Sequence, residues 1–217
     1  GAGKALLNIS MFLTSRTRGG PAHAAIVASS LFGTMSGSTV ANVVGTGTFT
    51  IPLTKERGFK PEFAGGIEAT ASSGGQIVPP IMGAAAFLMA ELTEISYLTI
   101  AIAAFVPAFL YYLSLFISVV IEAKKSKIEV DQSRTFSVTR QTMLDAMMFV
   151  APIVVIVTVL VMGRSAPNAG FFGIITAFIF GFINPELRKD PLRILRSFQK
   201  AGEAGGKLLV AIAAIGI

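Results

Sequence analysis

Apolar residues fill most of this chain in long stretches, and short polar clusters separate the stretches. Two of them, residues 97–122 and 144–163, are long enough to cross a hydrocarbon core, which needs roughly 20 apolar residues. A third, residues 168–183, is shorter and lies between a turn at Ala166-Pro167-Asn168 and a stop at Asn184-Pro185. The pattern predicts a transmembrane helix in each of the three stretches.

Residues 21–54 follow a different pattern, in which two apolar halves flank the polar sequence Ser36-Gly37-Ser38-Thr39. Neither half alone reaches across a bilayer. Lys and Arg residues occur both before and after this segment, so the positive-inside rule places both of its ends on the cytoplasmic side. We therefore expect a re-entrant helical hairpin, preceded in residues 1–20 by a truncated helix and a cytoplasmic loop.

Within residues 61–96, the stretch 63–90 is largely apolar and has Glu68 as its one charged residue, but Ser72-Ser73-Gly74-Gly75-Gln76 and then Pro79-Pro80 interrupt it. Gly lowers helix propensity, and Pro removes a backbone donor. We expect a discontinuous transmembrane helix with an unwound centre. Its far end, Glu91 to Glu94, carries no Lys or Arg and is expected in the periplasm.

The remaining segments are assigned from their charge. The Lys- and Arg-containing residues 123–143 read as a cytoplasmic linker, and residues 184–206 read as an amphipathic arm helix in the membrane interface. Residues 207–217 would begin a second repeat. A hairpin followed by a broken helix is half of an inverted-repeat transporter, so we expect a piece of a longer chain, cut at both ends.

Composition supports a lipid environment for an all-α, polytopic protein. Hydrophobic residues make up 53% of the chain and charged residues 14%, against about 25% charged residues in soluble domains. The net charge of +6 comes from loops between apolar segments, where membrane topology explains it, so nucleic acid is not an expected partner. The chain contains no cysteine, which excludes disulfides and thiolate metal sites.

Two backbone breaks at membrane depth predict a binding site, because only protein or a water-filled cavity satisfies their polar groups. Hydroxyl and carbonyl oxygens at both breaks suit a hard cation such as sodium. The predicted ion-binding residues are Ser36, Gly37, Ser38, Thr39, Asn42, Ser72, Ser73 and Gly74. The helix that begins near Thr39 directs its amides toward a carboxylate. The predicted substrate-binding residues are Ser38, Thr39, Gly75, Gln76 and Pro79.

Glu68 is the only acid well inside an apolar segment, which makes it a candidate proton carrier or cation ligand. No transition-metal site and no organic cofactor are expected. Helix packing is the competing interpretation, because Ser, Thr and Gly also line close helix contacts and a buried carboxylic acid can simply bridge two helices.

Two other classes of membrane protein compete with a transporter. An intramembrane serine protease would have to pair Ser36 with His23, the only histidine, but at 1.5 Å per helical residue these lie roughly 20 Å apart. The residues around Ser36 also lack the Gly-x-Ser-x-Gly pattern. A passive channel usually needs a charged ring or carbonyl filter, and no such signature is present. We therefore do not expect an enzyme.

The chain resembles the large membrane subunit of tripartite ATP-independent periplasmic (TRAP) transporters. The motifs that carry the resemblance are RGGP at 18–21, LFGTMSGSTVAN at 31–42, IP at 51–52 and GGQIVPP at 74–80. The run PIMGAAAF at 80–87, followed by Glu91, is most similar to the fused subfamily served by a TAXI-type binding protein. Many large subunits carry an acid where this chain has Asn42.

The resemblance implies an elevator-type permease in a bacterial or archaeal inner (plasma) membrane, driven by sodium or, in some members, by protons. It also implies a soluble periplasmic binding protein and a small membrane subunit, separate or fused, as partners. The substrate would be a small organic acid, and dicarboxylates, amino acids such as glutamate, and sugar acids all remain open.

Overall fold

The structure is a computed structural model that describes residues 2–14, 16–128, 140–183, 196, 199–203, 205, 206 and 210. Within these residues the elements are helical. They are α1 (Ala2–Thr14), α2 (Gly20–Ser36), α3 (Thr39–Glu56), α4 (Pro61–Gly74), a 3-10 turn (Gly75–Ile77), α5 (Ala84–Thr93), α6 (Tyr97–Lys125), α7 (Arg140–Val161) and α8 (Ala166–Ile183).

The chain reverses between α2 and α3 within two residues. Gly37 ends α2 in a left-handed conformation, with φ of 55°, and its N–H donates to the carbonyl of Gly33. Ser38 then caps α3, because its hydroxyl accepts the N–H of Ala41 at 3.3 Å. The two helices pack against each other, and the polar tip lies at the end of the pair.

The helical path is interrupted between α4 and α5. The 3-10 turn follows α4 directly, residues 78–83 are not helical, and the N–H of Gly83 donates to the carbonyl of Gln76 at 2.7 Å. The predicted break begins too early, since Ser72, Ser73 and Gly74 remain in α4. The Ser72 hydroxyl donates to the Glu68 side chain and the Ser73 hydroxyl to the carbonyl of Ala69, each one helical turn earlier. For Gly74, helix packing outweighs the roughly 1 kcal/mol by which a glycine disfavours a helix.

One side of α4 packs against α2 and α3, and α6 contacts another side. Small and aliphatic side chains fill the space between α2, α4 and α6. This core includes Ala22, Ile26, Ile67, Ala71, Leu115, Val119 and Ala123. The polar side chains of α3 are therefore held against α4, away from this apolar core.

Two helices, Tyr97–Lys125 and Gln141–Val161, are long and apolar enough to cross a membrane, and α8 is a shorter apolar helix. Only 22% and 17% of their most apolar windows are buried. Most of these apolar surfaces are thus open to the surroundings, as expected for helices in lipid.

The predicted turn at Ala166-Pro167-Asn168 is wrong, because these residues form the first turn of α8. A proline is tolerated there since its missing N–H has no partner within the helix. The reversal lies at 162–165 instead, where Gly163 has φ of 76°. Residues 129–139 of the predicted linker and most of the predicted segments 184–206 and 207–217 lie outside the described residues.

Candidate functional site

Glu68 lies at the centre of a buried polar cluster formed by α2, α3 and α4. The residue is 1% exposed. Its Oε1 accepts hydrogen bonds from Ser29 at 3.0 Å, Thr46 at 2.5 Å and Ser72 at 3.2 Å, and its Oε2 accepts one from Thr50 at 2.5 Å. These distances lie at or near the usual range for O–H···O bonds. A carboxyl group removed from water is thus matched by four hydroxyls, which we call the hydroxyl cage.

Asn42 closes the cage on the side of the hairpin tip. Its side chain is fully buried, and its Nδ2 donates to the carbonyl of Ser29 at 2.8 Å and to that of Ser72 at 3.5 Å. One amide therefore connects α3 to both α2 and α4. The Thr46 hydroxyl lies 3.4 Å from the Asn42 Oδ1, which joins the amide to the cage.

The α3 contribution to the cage follows from spacing along the helix. Asn42, Thr46, Thr50 and Thr54 recur every fourth residue, and all four are buried. Residues four apart lie on the same helix face, so this row forms a polar stripe. Sequence reasoning did not single out Ser29, Thr46 or Thr50. The fourfold spacing was the available signal for the two threonines, whereas Ser29 has no comparable local signal.

The hairpin tip is a separate and more open polar region. Ser38 is exposed, while Ser36 and Thr39 are partly exposed. The Gln76 Nε2 donates to the Thr39 hydroxyl at 2.9 Å, so the tip is linked to the 3-10 turn. Gly37 also approaches the interruption closely, because a Cβ at this position would overlap the carbonyl oxygen of Met82. The two breaks therefore meet.

Hydroxyl groups from α2 and α6 satisfy carbonyls at the interruption. The Thr34 hydroxyl donates to the carbonyl of Pro79 at 2.7 Å, and the Tyr97 hydroxyl lies within hydrogen-bond distance of the carbonyls of Pro80 and Ile81, so its one hydrogen can serve either. Further back, Tyr111 donates to Thr70 and Tyr112 to Ala71. Thr34 and Tyr97 thus satisfy carbonyls of the irregular backbone, and Tyr111 and Tyr112 satisfy carbonyls near the end of α4. Pro79, predicted to bind substrate, already accepts one hydrogen bond, and its second lone pair remains.

The predicted site residues fall into two groups. Asn42 and Ser72 join Glu68 in the hydroxyl cage, whereas Ser36, Ser38 and Thr39 lie at the tip, where Gln76 contacts Thr39. Ser73 is exposed, and its hydroxyl donates to the carbonyl of Ala69 at 2.9 Å. Gly74 is buried beneath Tyr111. The two groups are adjacent because α3 begins at the tip and carries Asn42 one turn later.

His23, to which the sequence assigned no role, is buried at the opposite end of α2 from the tip. Its Nδ1 lies 2.7 Å from the Thr17 hydroxyl, and its Nε2 lies 3.3 Å from the carbonyl of Phe116. The ring also stacks on Phe116. Both ring nitrogens of His23 are thus engaged, at the end of α2 opposite Ser36.

Comparison with known proteins gives a match along the whole chain. The family described as tripartite ATP-independent periplasmic transporter, DctM component, matches residues 1–217. The chain is 31% identical over 124 residues to the C4-dicarboxylate TRAP transporter large permease protein DctM of Vibrio cholerae, covering 57% of this chain and 27% of that protein.

Two further relatives carry different substrates in their names. Identity is 33% over 110 residues with the sialic acid TRAP transporter permease protein SiaT of Haemophilus influenzae, covering 51% of this chain and 18% of that protein. Identity is also 33% over 96 residues with the ectoine/5-hydroxyectoine TRAP transporter large permease protein UehC of Ruegeria pomeroyi, covering 44% of this chain and 22% of that protein. The matches thus span 18% to 27% of these three relatives.

Proposed function

The chain belongs to the DctM component family of tripartite ATP-independent periplasmic transporters, and from this membership we propose that it forms part of the membrane permease of an ion-driven uptake system for small organic acids. The family consists of transporter permeases, not enzymes. The membrane is the inner (plasma) membrane of a bacterium or archaeon, which the chain crosses several times.

The observation that carries the proposal is the position of Glu68. An acid in a membrane segment is costly, and such residues mark ion pathways. Glu68 lies inside the hydroxyl cage, where α2 and α3 of the helix pair contact α4 just before its interruption. Irregular backbone of this kind, next to a buried charge-bearing group, is how ion-coupled transporters build their sites.

Substrate and sodium are assigned to the open tip. The α3 N-terminus carries a positive dipole end, which favours a carboxylate, and Ser38, Thr39 and Gln76 supply polar contacts beside it. Hydroxyl and carbonyl oxygens at Ser36, Gly37 and Ser38 provide hard ligands of the kind that bind sodium. The relatives named for C4-dicarboxylates and sialic acid support an organic acid as the substrate class.

The finer mechanism follows from the family resemblance. The α2–α3 pair is a re-entrant hairpin that moves with the broken α4–α5 unit as an elevator, and this chain supplies one of two inverted repeats. A periplasmic protein delivers the substrate, and a small membrane subunit, separate or fused as in the TAXI-associated subfamily, completes the permease.

Reconstitution tests this proposal. The full-length permease containing this chain is placed in proteoliposomes with its binding protein, and uptake of radiolabelled succinate, glutamate and sialic acid is measured with an inward sodium gradient. We expect one of these acids to accumulate only when both the gradient and the binding protein are present. Equilibration of the acids without either would indicate a passive channel and contradict the proposal.

A matched pair of variants tests whether uptake depends on Glu68. Glu68→Gln is expected to abolish accumulation, whereas Glu62→Gln changes an exposed acid in the first turn of the same helix and is expected to retain it. Equal accumulation in both variants would show that Glu68 only packs helices.

A further inference from the structure

Three polar segments of the chain meet at the end of the helix bundle opposite the hairpin tip. They are the α1–α2 loop, the α3–α4 loop and the residues that end α6. Phe59 of the second segment and Ile128 of the third share one apolar cluster with Ala22, near the start of α2. A Cβ on Gly58 would lie 3.9 Å from the Ile128 Cγ1. Charges that are far apart in sequence are therefore brought to one face.

The exposed charges on this face are mostly positive. Residues 16–18, 55–62 and 122–128 contain seven exposed basic side chains and two exposed acidic ones. Glu122 is half-buried and lies 3.8 Å from Lys125. The exposed basic residues, which we call the basic face, are Arg16, Arg18, Lys55, Lys60, Lys124, Lys125 and Lys127. Such an excess of one sign favours an anionic partner.

Helix dipoles explain only part of the basic face. Lys55, Lys124 and Lys125 lie in the last turns of α3 and α6, where a positive charge is favourable. Lys60, in contrast, directly precedes α4, and Arg18 lies two residues before α2. The N-terminal end of a helix is itself positive, so the helix dipoles oppose the charges at these two positions. An external anion would stabilise them.

An exposed apolar stripe on α6 leads to the basic face. Five apolar residues are between 42% and 61% exposed and recur every third or fourth position, which places them on one side of the helix. They are Val106, Leu110, Leu113, Ile117 and Ile121. Lys124 continues the same spacing and is exposed. We call the five residues the α6 stripe.

The length of the α6 stripe matches one leaflet of a bilayer. From Leu113 to Lys124 the helix rises about 16 Å, at 1.5 Å per residue. This is close to half of a hydrocarbon core that is roughly 30 Å thick. An acyl chain that packs along the stripe would therefore put its headgroup beside Lys124.

The stripe and the basic face together favour an anionic phospholipid over other partners. A soluble phosphate ion or an acidic protein segment would use the positive charges but not the apolar residues that lead to them. A phosphatidylcholine molecule would use the apolar residues, but its headgroup carries a positive charge of its own. An anionic lipid uses both features, since Lys and Arg at a membrane surface attract anionic headgroups.

We propose that the basic face and the α6 stripe form a binding site for an anionic phospholipid. The lipid phosphate is bound by the basic face, and one acyl chain packs along Leu113, Ile117 and Ile121. A lipid bound in this way holds the adjoining ends of α2, α3, α4 and α6 at the level of the headgroups. The site is distinct from the tip and the hydroxyl cage, and lipid binding does not rest on ion-driven uptake.

Quenching by brominated lipids tests this site in the full-length permease. Other native cysteines are replaced, one fluorophore is attached at Ile117→Cys, and the protein is reconstituted in phosphatidylcholine vesicles. A small fraction of the lipid is then exchanged for brominated phosphatidylglycerol or brominated phosphatidylcholine. We expect the phosphatidylglycerol to quench several-fold more strongly at equal fraction, because each basic residue near the surface favours an anionic lipid by roughly fivefold.

Variants and a second probe position show whether the basic face causes this preference. Lys124→Gln combined with Lys125→Gln is expected to lower the ratio of the two quenching efficiencies by at least about fivefold. Arg164→Gln is the matched control and should keep the ratio. Arg164 is exposed in the α7–α8 reversal, which lies near the start of α6. A fluorophore at Ile102→Cys, exposed near the same end of α6, should show no preference.

Four results would overturn the proposal. Equal quenching by the two lipids would show that the charges select no headgroup, and an equal effect of Arg164→Gln would remove the role of the basic face. Absence of quenching by either lipid would mean that another part of the permease covers the α6 stripe. Loss of the preference on adding inorganic phosphate at constant ionic strength would identify a site for a soluble anion. Because quenching is recorded without transport, its outcome is separate from that of the uptake assay.

Discussion

Gly33 of α2 and Gly75 of the 3-10 turn meet backbone to backbone, so that a Cβ on Gly75 would lie 2.6 Å from the Gly33 Cα. The Asn42 amide lies beside both glycines. The contact therefore packs the 3-10 turn closely against α2, next to the hydroxyl cage. Neither glycine has a positive φ, so close approach, not conformational freedom, is the reason for a glycine at these positions.

Replacing either member of this contact should destabilise the protein. Gly33→Ala and Gly75→Ala are each expected to lower the free energy of unfolding by about 1–3 kcal/mol, the usual cost of overpacking. Thermal unfolding of the purified full-length permease measures the effect. Gly65→Ala is the control, because a Cβ at Gly65 meets nothing within 4 Å and alanine is the better helix former. An unchanged transition for Gly33→Ala would show that the contact is looser than the structure indicates.

The apolar helical segments and the family could largely be predicted from the sequence, whereas the direction in which individual side chains point from a helix could not. The apolar runs predicted the regions of α6, α7 and α8, and the motifs in residues 18–91 predicted the DctM family, which the whole-chain match confirms. Which of two neighbouring serines faces inward depends on how far α4 continues. The sequence pattern places Ser72 and Ser73 in unwound backbone, so it predicts no direction for either side chain.

Only part of the hydroxyl cage could be predicted from the sequence. Glu68 stood out because an acid in an apolar segment is costly, and Asn42 stood out through its motif. Thr46 and Thr50 were missed because threonine also occurs in ordinary helix contacts, although their fourfold spacing indicated a stripe. Ser29 becomes a partner of Glu68 only through the packing of α2 against α4, which no local pattern reports.

Thiol labelling should separate the open tip from the closed cage, since this chain contributes no cysteine of its own. With a water-soluble maleimide, Ser38→Cys and Ser73→Cys are expected to react readily, and Ser29→Cys and Ser72→Cys only slowly, because the first pair is exposed and the second buried. Other native cysteines of the full-length permease would first be replaced. Sodium, but not potassium, should slow labelling at Ser38. Equal rates at all four positions would contradict the buried position of the cage.

The hydrogen bond between Gln76 and Thr39 should contribute to uptake, so the effects of replacing these two residues should be coupled. Gln76→Leu and Thr39→Val each remove the 2.9 Å hydrogen bond between the tip and the 3-10 turn. A double-mutant cycle on kcat/KM for uptake should give a coupling energy of about 0.5–1.5 kcal/mol, the usual net value of one hydrogen bond. The same cycle on Gln76 and Thr48 should give none, since Thr48 donates to Val44. Additive effects in the first cycle would mean that the two side chains act separately.

Ser72 and Ser73 offer the sharpest comparison between a working site and simple helix packing, because they are adjacent and chemically identical. Ser72 is 1% exposed and donates to Glu68 Oε1, whereas Ser73 is exposed and donates only to its own helix. Loss of a hydrogen bond to a carboxylate costs about 1.5–3 kcal/mol. Ser72→Ala should therefore lower the initial rate of uptake by roughly tenfold or more, on the relation of about 1.4 kcal/mol per factor of ten, and Ser73→Ala should leave it within about twofold. Proteoliposome uptake at equal protein amounts measures both. If Ser73→Ala were the more damaging change, the contact between Ser72 and Glu68 would not lie on the ion pathway, and the hydroxyl cage would serve only to hold α4 against the helix pair.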